Sequence, residues 1–190
     1  MKTWRWLILL LSGLILWLLD RQWNERFVMV KVESADVDGQ NGRRLTVQSA
    51  LACTPEKAWA EVQKPALLAR VAAPLLGFKR QNGEPLPAQW QVGETVELTL
   101  QGFMLLPLGS HNIHLVYADE EKRELLTNES GELAQIWNHR VAIEPSDDGQ
   151  TLYTDEIDIY AGILTPFIVA FAYFFYRHRQ TNWQKLAPTL

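Results

Sequence analysis

Two residues in the second half of the chain have the types and spacing for acid–base chemistry. His139 lies in a run where Trp137, His139, Val141 and Ile143 alternate with Asn138, Arg140 and Ala142. Asp155 lies in a run where Tyr153, Asp155, Ile157 and Ile159 share one parity and Glu156 and Asp158 the other. Strand side chains alternate with a period of two, so each run has one apolar face that carries one ionisable group. Between them stands Asp147-Asp148-Gly149. Read as a three-residue hairpin turn with glycine in the left-handed bulge position, it pairs Val141 with Asp155 and His139 with Ile157. The imidazole and the carboxylate are then diagonal neighbours on the inward face, within hydrogen-bond reach. A slip of one residue would put them on opposite faces.

Such a pair has three uses. The two groups can satisfy each other inside the fold; with Tyr117 or Tyr153 they can orient an otherwise apolar ligand; or a histidine oriented by a carboxylate can act as general acid and base. The remaining candidates are weaker. His111 and His114 are three apart on a turn and a strand with no third ligand nearby in sequence, so no metal site is expected. Cys53 is the only cysteine and reads as a small buried side chain at a strand end. No cofactor motif is present.

Positioning the pair requires a sheet and something to cover its inward face. Phe27–Val37 and Arg44–Ala52 read as a hairpin around the Asp38–Gly42 loop, with Leu45, Val47 and Leu51 on one face. Thr54-Pro55 opens a short helix, with threonine as cap and proline at the first position, and Ala58, Trp59 and Val62 form its apolar stripe. Ala66–Leu76 starts as a helix and breaks near Pro74 and Gly77, and Gln81–Pro87 is a loop. From Trp90 to Tyr160 the pattern is antiparallel strands, with turns at Asp119–Lys122, Asn128–Gly131 and Ser146–Gly149. Thr165-Pro166 then reads as cap and first turn of a long helix that is apolar to Tyr176, needing cover on all sides, and basic beyond it at Arg177, His178, Arg179 and Lys185. Cations near a helix C-terminus suit its dipole and solvation, and they also suit a surface of anionic lipid headgroups. The expected fold class is α+β: a curved antiparallel sheet wrapped around a long C-terminal helix, preceded by an N-terminal transmembrane helix.

That first helix is Trp4–Leu19, a leucine-rich run flanked by Lys2 and Arg5 and followed by Asp20-Arg21 with no small-residue cleavage site. Residues 1–23 are accordingly read as a membrane anchor or uncleaved signal, and residues 27–190 as the globular domain. Trp4, Trp6, Trp17 and Trp23 would sit at the interfaces, and the very short N-terminal flank favours delivery of the domain to the extracytoplasmic side. Ala161–Tyr176 is a less suitable second span, being short and interrupted by Pro166. A formal charge of −4 and a pI near 5.6 leave no basic field for nucleic acid. The oligomeric state is open.

The strand, the Thr-Pro-Glu-Lys-Ala-Trp helix start, the meander and the terminal apolar helix with Trp183 near its end together resemble the START-like superfamily, also called polyketide cyclase/dehydrase-like or SRPBCC, over Arg44–Ala187. That resemblance implies a helix-grip fold with a hydrophobic cavity between sheet and C-terminal helix. It implies a lipid, isoprenoid or polyketide-like ligand, for which the inward strand faces and the apolar half of the final helix supply Tyr117, Trp137, His139, Tyr153, Asp155, Phe167, Phe171 and Phe174 as candidate ligand-binding residues. Members that catalyse cyclisation or dehydration would correspond here to an enzyme using His139 and Asp155; an interaction or assembly module with a filled cavity is the other alternative. The apolar loop Phe103–Gly109 would be a portal or membrane contact, or a plain packed connection.

Overall fold

The computed structural model describes residues 27–146 and 149–190, so the anchor expected at residues 1–23 and the tip of the Asp147-Asp148 turn lie outside the described residues. Eight strands form one antiparallel sheet: β1 (Met29–Val37), β2 (Gln40–Leu51), β3 (Leu76–Arg80), β4 (Thr95–Gly102), β5 (Leu106–Asp119), β6 (Glu124–Gly131), β7 (Ile136–Pro145) and β8 (Thr151–Tyr160). Their spatial order is β1-β2-β8-β7-β6-β5-β4-β3, so β8 returns to lie beside β2, every other neighbouring pair is consecutive in the chain, and the helical segment carries the chain from β2 to β3 at the far edge. Two short helices, α1 (Pro55–Val62) and α2 (Pro65–Ala72), follow β2, and the long α3 (Thr165–Leu186) crosses the inner face.

Local rules explain much of this. Asp38 and Gly39 both adopt positive φ, +52° and +77°, which is the two-residue turn that matches strand twist, so the first hairpin is tighter than the five-residue loop expected. Gly42 belongs to β2 because an added Cβ would lie 2.7 Å from the carbonyl oxygen of Ile159 and 2.6 Å from Val37. Thr54 caps α1, its Oγ1 accepting from Lys57 N, and Ala58, Trp59 and Val62 are its buried face; such a cap contributes about 1 kcal/mol. After α2 the chain turns through a cis Ala73–Pro74 peptide into β3, a strand that the sequence pattern did not suggest.

The core is the inner face of the sheet. Leu45, Val47, Leu51, Tyr153, Ile157 and Ile159 are fully buried, the parity expected for β2 and β8. Side chains of this kind each contribute about 1.5–3 kcal/mol through burial. Outward on the same strands, Arg44 grips Asp158 with two hydrogen bonds of 2.7 and 2.6 Å.

Several expectations are corrected. Asn128–Gly131 is the end of β6 rather than a turn; its glycine is required because a Cβ on Gly131 would lie 2.3 Å from Ser110 O and 3.0 Å from His111 Cα. Tyr117 faces outward: a bulge between Leu115 and Tyr117 inserts one residue, pairs Tyr117 with Leu126 and reverses the alternation, so its hydroxyl bonds Glu124 on the outer face. Thr165 does not cap α3 in the expected way. A short 3₁₀ turn, Gly162–Leu164, runs straight into the helix, and Thr165 Oγ1 instead accepts from Ala161 N and donates to Gly162 O.

The largest correction concerns α3 itself. Its apolar half is partly open, with Phe167 74% and Phe174 55% exposed, whereas Arg177 is fully buried and Arg179 is 7% exposed. Arg177 lies over the rings of Phe27 and Tyr173, at 5.6 and 4.8 Å, so cation–π contact replaces the solvation expected of a C-terminal cation. His178 Nε2 meets the Ala73 carbonyl at 2.9 Å. Only Lys185 of that basic set stands in the last turn of the helix. Among the described residues no helix is long and apolar enough to cross a membrane.

Candidate functional site

Between α3 and the half of the sheet formed by β3–β7 lies a cleft of about 930 Å3 not filled by protein atoms, its open end included. About 90 Å3 of it can be reached by the centre of a water molecule, which corresponds to roughly six to nine waters at ~10–15 Å3 each. Its wall is mostly aliphatic and aromatic, with Leu67, Leu76, Leu100, Ile113, Leu125 and Ile168 among the lining side chains. Leu67 comes from α2 and Ile168 from α3, so the cleft exists only where helices and sheet face one another.

Polar groups gather at one end. His111, Thr127, Glu129, His139, Tyr176 and Arg179 all line the cleft, from β5, β6, β7 and α3. The hairpin register is the one expected, His139 opposite Ile157 and Val141 opposite Asp155. His139 Nε2 donates to Asp155 Oδ1 at 2.7 Å. Asp155, fully buried behind that wall, also accepts from Tyr153 Oη at 3.0 Å and from Gln180 Nε2 at 2.9 Å, and Arg179 Nη2 stands 3.6 Å away. A second histidine–carboxylate pair lies alongside, His111 Nε2 donating to Glu129 Oε2 at 2.7 Å while Thr127 Oγ1 donates to Oε1 at 2.6 Å. His139 Nδ1 is 3.9 Å from Glu129 Oε1, too far for a hydrogen bond.

Electrostatics keep both carboxylates ionised. Burial alone would push Asp155 upward, but the charge of Arg179 and the hydrogen bonds from His139 and Gln180 outweigh it and hold the carboxyl below its usual range. Burial opposes Glu129 ionisation in the same way and is outweighed by His111 and His139. Burial pushes the Tyr153 and Tyr176 hydroxyls well up, so both remain protonated donors. Arg179, in spite of burial, is held charged by Asp155. A carboxylate can only accept, so the Nε2 proton of each histidine is committed to its partner. The free edge of His139 is Nδ1.

Aromatic contacts fix the rest. Trp137 stacks on Tyr176 with ring centres 6.1 Å apart and donates from Nε1 to its Oη at 3.2 Å. Tyr176 meets His139 edge-on at 5.3 Å. Arg179 lies over the Tyr176 ring at 5.3 Å. Chemically, this end of the cleft offers one imidazole nitrogen oriented by a buried carboxylate, one tyrosine hydroxyl and a second carboxylate, all against an apolar wall. No cluster of three metal-ligating side chains is present among the described residues.

Of the residues singled out in the sequence, Trp137, His139 and Phe171 line the cleft, and Tyr153 and Asp155 lie directly behind it, bonded to its polar end. Phe167 and Phe174 project away on the outer side of α3, and Tyr117 is on the opposite face of the sheet; the helical period and the β5 bulge respectively turn them from the cleft. The sequence reading missed Thr127, Glu129, Tyr176, Arg179 and Gln180, and it left His111 as an ordinary surface or packing residue. Glu129 was concealed because Asn128–Gly131 reads as a turn, although Leu125, Thr127 and Glu129 already alternate as an inward strand face. The α3 residues carried no strand signal, and their basic run suggested a solvated helix end.

Comparison with known proteins gives the fold a wider setting. Protein Ms6760 from Mycobacterium smegmatis superimposes with a TM-score of 0.63 at 13% identity, over 84% of this chain and 96% of that one. A START superfamily protein from Mycobacterium smegmatis matches with a TM-score of 0.56 at 14% identity, over 77% and 97%. Ginseng major latex-like protein 151 from Panax ginseng matches with a TM-score of 0.54 at 14% identity, over 76% and 96%. No curated protein matches the chain. At such identities the likeness establishes the fold alone, the helix-grip arrangement of curved sheet and C-terminal helix that these proteins share. The model of the family described as "Domain of unknown function (DUF8410)" matches residues 49–186, a stretch that holds the cleft's whole polar end, and the chain belongs to that family.

Proposed function

We propose that this protein binds an apolar small molecule in the cleft between sheet and α3, and that residues 1–23 hold it at a membrane. The observation that carries the reading is an apolar cleft with a few converging, buried polar groups at one end, which is the make-up of a small-molecule site. Ms6760 and the other neighbours above share the fold; their likeness supports the architecture, and the ligand class is inferred from the lining.

The membrane part of the proposal is supported by exposed apolar surface near the cleft. The turn between β4 and β5 exposes Phe103 (64%), Met104 (49%) and Leu105 (80%). Ile163 (91%) and Phe167 do the same at the start of α3. Leu108, at the base of that β-hairpin, packs in one cluster with Ile168 of α3, so both apolar projections flank the same region. Phe27, where the described chain begins, lies against Arg177 of α3.

Native mass spectrometry of the detergent-extracted full chain, with identification of any released molecule, tests the binding reading: a copurifying apolar molecule supports it. A chain that carries no such adduct and takes up no apolar probe sinks it. Alkaline carbonate tests the anchor separately, since a protein released by it is not membrane-embedded. A second reading, catalysis, has its own observation in the buried 2.7 Å His139–Asp155 bond. In that reading Asp155 orients His139 and Nδ1 moves a proton on a bound polyketide-like substrate. Unchanged turnover of His139→Ala and Asp155→Asn, both folded, would exclude it.

A further inference from the structure

The inner end of the cleft has a fixed complement of charge and of unused hydrogen-bonding positions, and these select a head group. Glu129 and Asp155 supply two negative charges and Arg179 one positive charge, and no other lysine or arginine lines the cleft among the described residues. The positive charge is already matched by Asp155 at 3.6 Å. An anionic head would therefore stand beside Glu129 with no lysine or arginine left to pair with it, in surroundings where unmatched charge is costly. A cationic head would find both carboxylates already supplied with donors, from His111 and Thr127 at Glu129 and from His139, Tyr153 and Gln180 at Asp155.

Two positions remain open to a ligand. In the tautomer that donates from Nε2 to Asp155, His139 Nδ1 offers a lone pair, and it has no hydrogen-bond partner among the described residues, Glu129 being 3.9 Å away. Tyr176 Oη accepts from Trp137 Nε1, and its own proton has no acceptor among the described residues. The two rings meet edge-on with centres 5.3 Å apart. One acceptor beside one donor, both on cleft-lining side chains, matches a group that donates once and accepts once. That is a neutral hydroxyl.

We infer that the ligand is an uncharged alcohol or phenol with a compact apolar body, its hydroxyl donating to His139 Nδ1 and accepting from Tyr176 Oη. The inference rests on the binding reading above and narrows it: fatty acids, anionic phospholipid headgroups and alkyl ammonium compounds are excluded. The volume open to waters suits a body of one or two rings better than two long acyl chains.

The test uses four probes of one shape, 2-naphthol, naphthalene, 2-naphthoate and 2-naphthylmethylamine, against the full chain in lipid nanodiscs at about pH 7.5, with empty nanodiscs subtracting partition into lipid. The expected result is that 2-naphthol binds at least about tenfold more tightly than each of the other three, and that Tyr176→Phe removes most of its advantage over naphthalene. Near-UV circular dichroism establishes that the variant is folded, and the wild-type probe series stands without it. Equal or tighter binding of the carboxylate or the amine overturns the inference while leaving the cleft a binding site. So does naphthalene binding as well as 2-naphthol. If none of the four binds, the apolar-ligand reading itself fails and the inference falls with it.

Discussion

Replacing Asp155 by Asn removes one charge from a fully buried carboxylate and changes almost no volume. Four donors converge on that carboxylate: His139 Nε2, Tyr153 Oη, Gln180 Nε2 and the Arg179 guanidinium. An amide has one accepting oxygen, and its NH2 would face groups that are themselves donors. Arg179, 7% exposed, would lose the only carboxylate to which it is ion-paired among the described residues. At 3.6 Å and an effective dielectric constant near 20, the lost attraction is about 4–5 kcal/mol, which agrees with the ~3–5 kcal/mol typical of breaking one partner out of a buried pair. That is a large fraction of a stability of about 5–15 kcal/mol, and it corresponds to a melting temperature lower by roughly 10 °C for a chain of this length. Guanidinium unfolding followed by tryptophan fluorescence measures it, because Trp183 is buried within the same inner core. The informative control is Arg179→Met alone and combined with Asp155→Leu. If the cost is the stranded cation, the double variant regains at least about half of the loss. A shift below about 1 kcal/mol for Asp155→Asn, or strict additivity in the double variant, would refute the account of Arg179 and Asp155 as a mutually dependent pair.

Further outcomes follow from the same geometry. Asp155 and Glu129 both have folded-state affinities for protons below their unfolded values of 3.8 and 4.5, so the stability they contribute is fully present above about pH 5 and is lost as pH falls through the lower folded values; urea unfolding between about pH 5 and 3 should fall steeply, and less steeply in Glu129→Gln. Gly131→Ala places a methyl group 2.3 Å from Ser110 O, and the forced separation of β5 and β6 should destabilise the fold by about 1–3 kcal/mol, measured in the same unfolding assay. Phe167→Glu alters a side chain 74% exposed and should leave stability within about 0.5 kcal/mol. The same substitution should weaken association with liposomes, which flotation would show; unchanged flotation would remove that face from the membrane reading.

Strand periodicity and turn chemistry are local properties, and they carried a good part of the site. Alternation with period two put His139 and Asp155 on inward faces, and the length of the turn set the register in which Val141 faces Asp155. Thr54 and Pro55 marked the start of α1 by the same local logic. Where one residue disrupts the period, local reading fails: the β5 bulge carried Tyr117 to the outer face. Gly131 misled because glycine ordinarily signals a turn, whereas here the lack of a Cβ permits the close approach of β5 that brings His111 to Glu129.

By itself, then, the sequence determined most of the antiparallel strands, the long terminal helix and one histidine–carboxylate pair, since each depends on neighbours only a few residues apart or on one short turn. The tertiary structure decided which side chains of α3 are buried. The sheet covers Arg177, Arg179 and Gln180 and leaves Phe167 and Phe174 exposed, the reverse of what hydropathy suggests. It also brought Glu129 from β6, Tyr176 and Arg179 from α3 and His111 from β5 to one end of a cleft. Contacts of that range depend on how eight strands and a helix pack together, and no periodicity within any one segment records them.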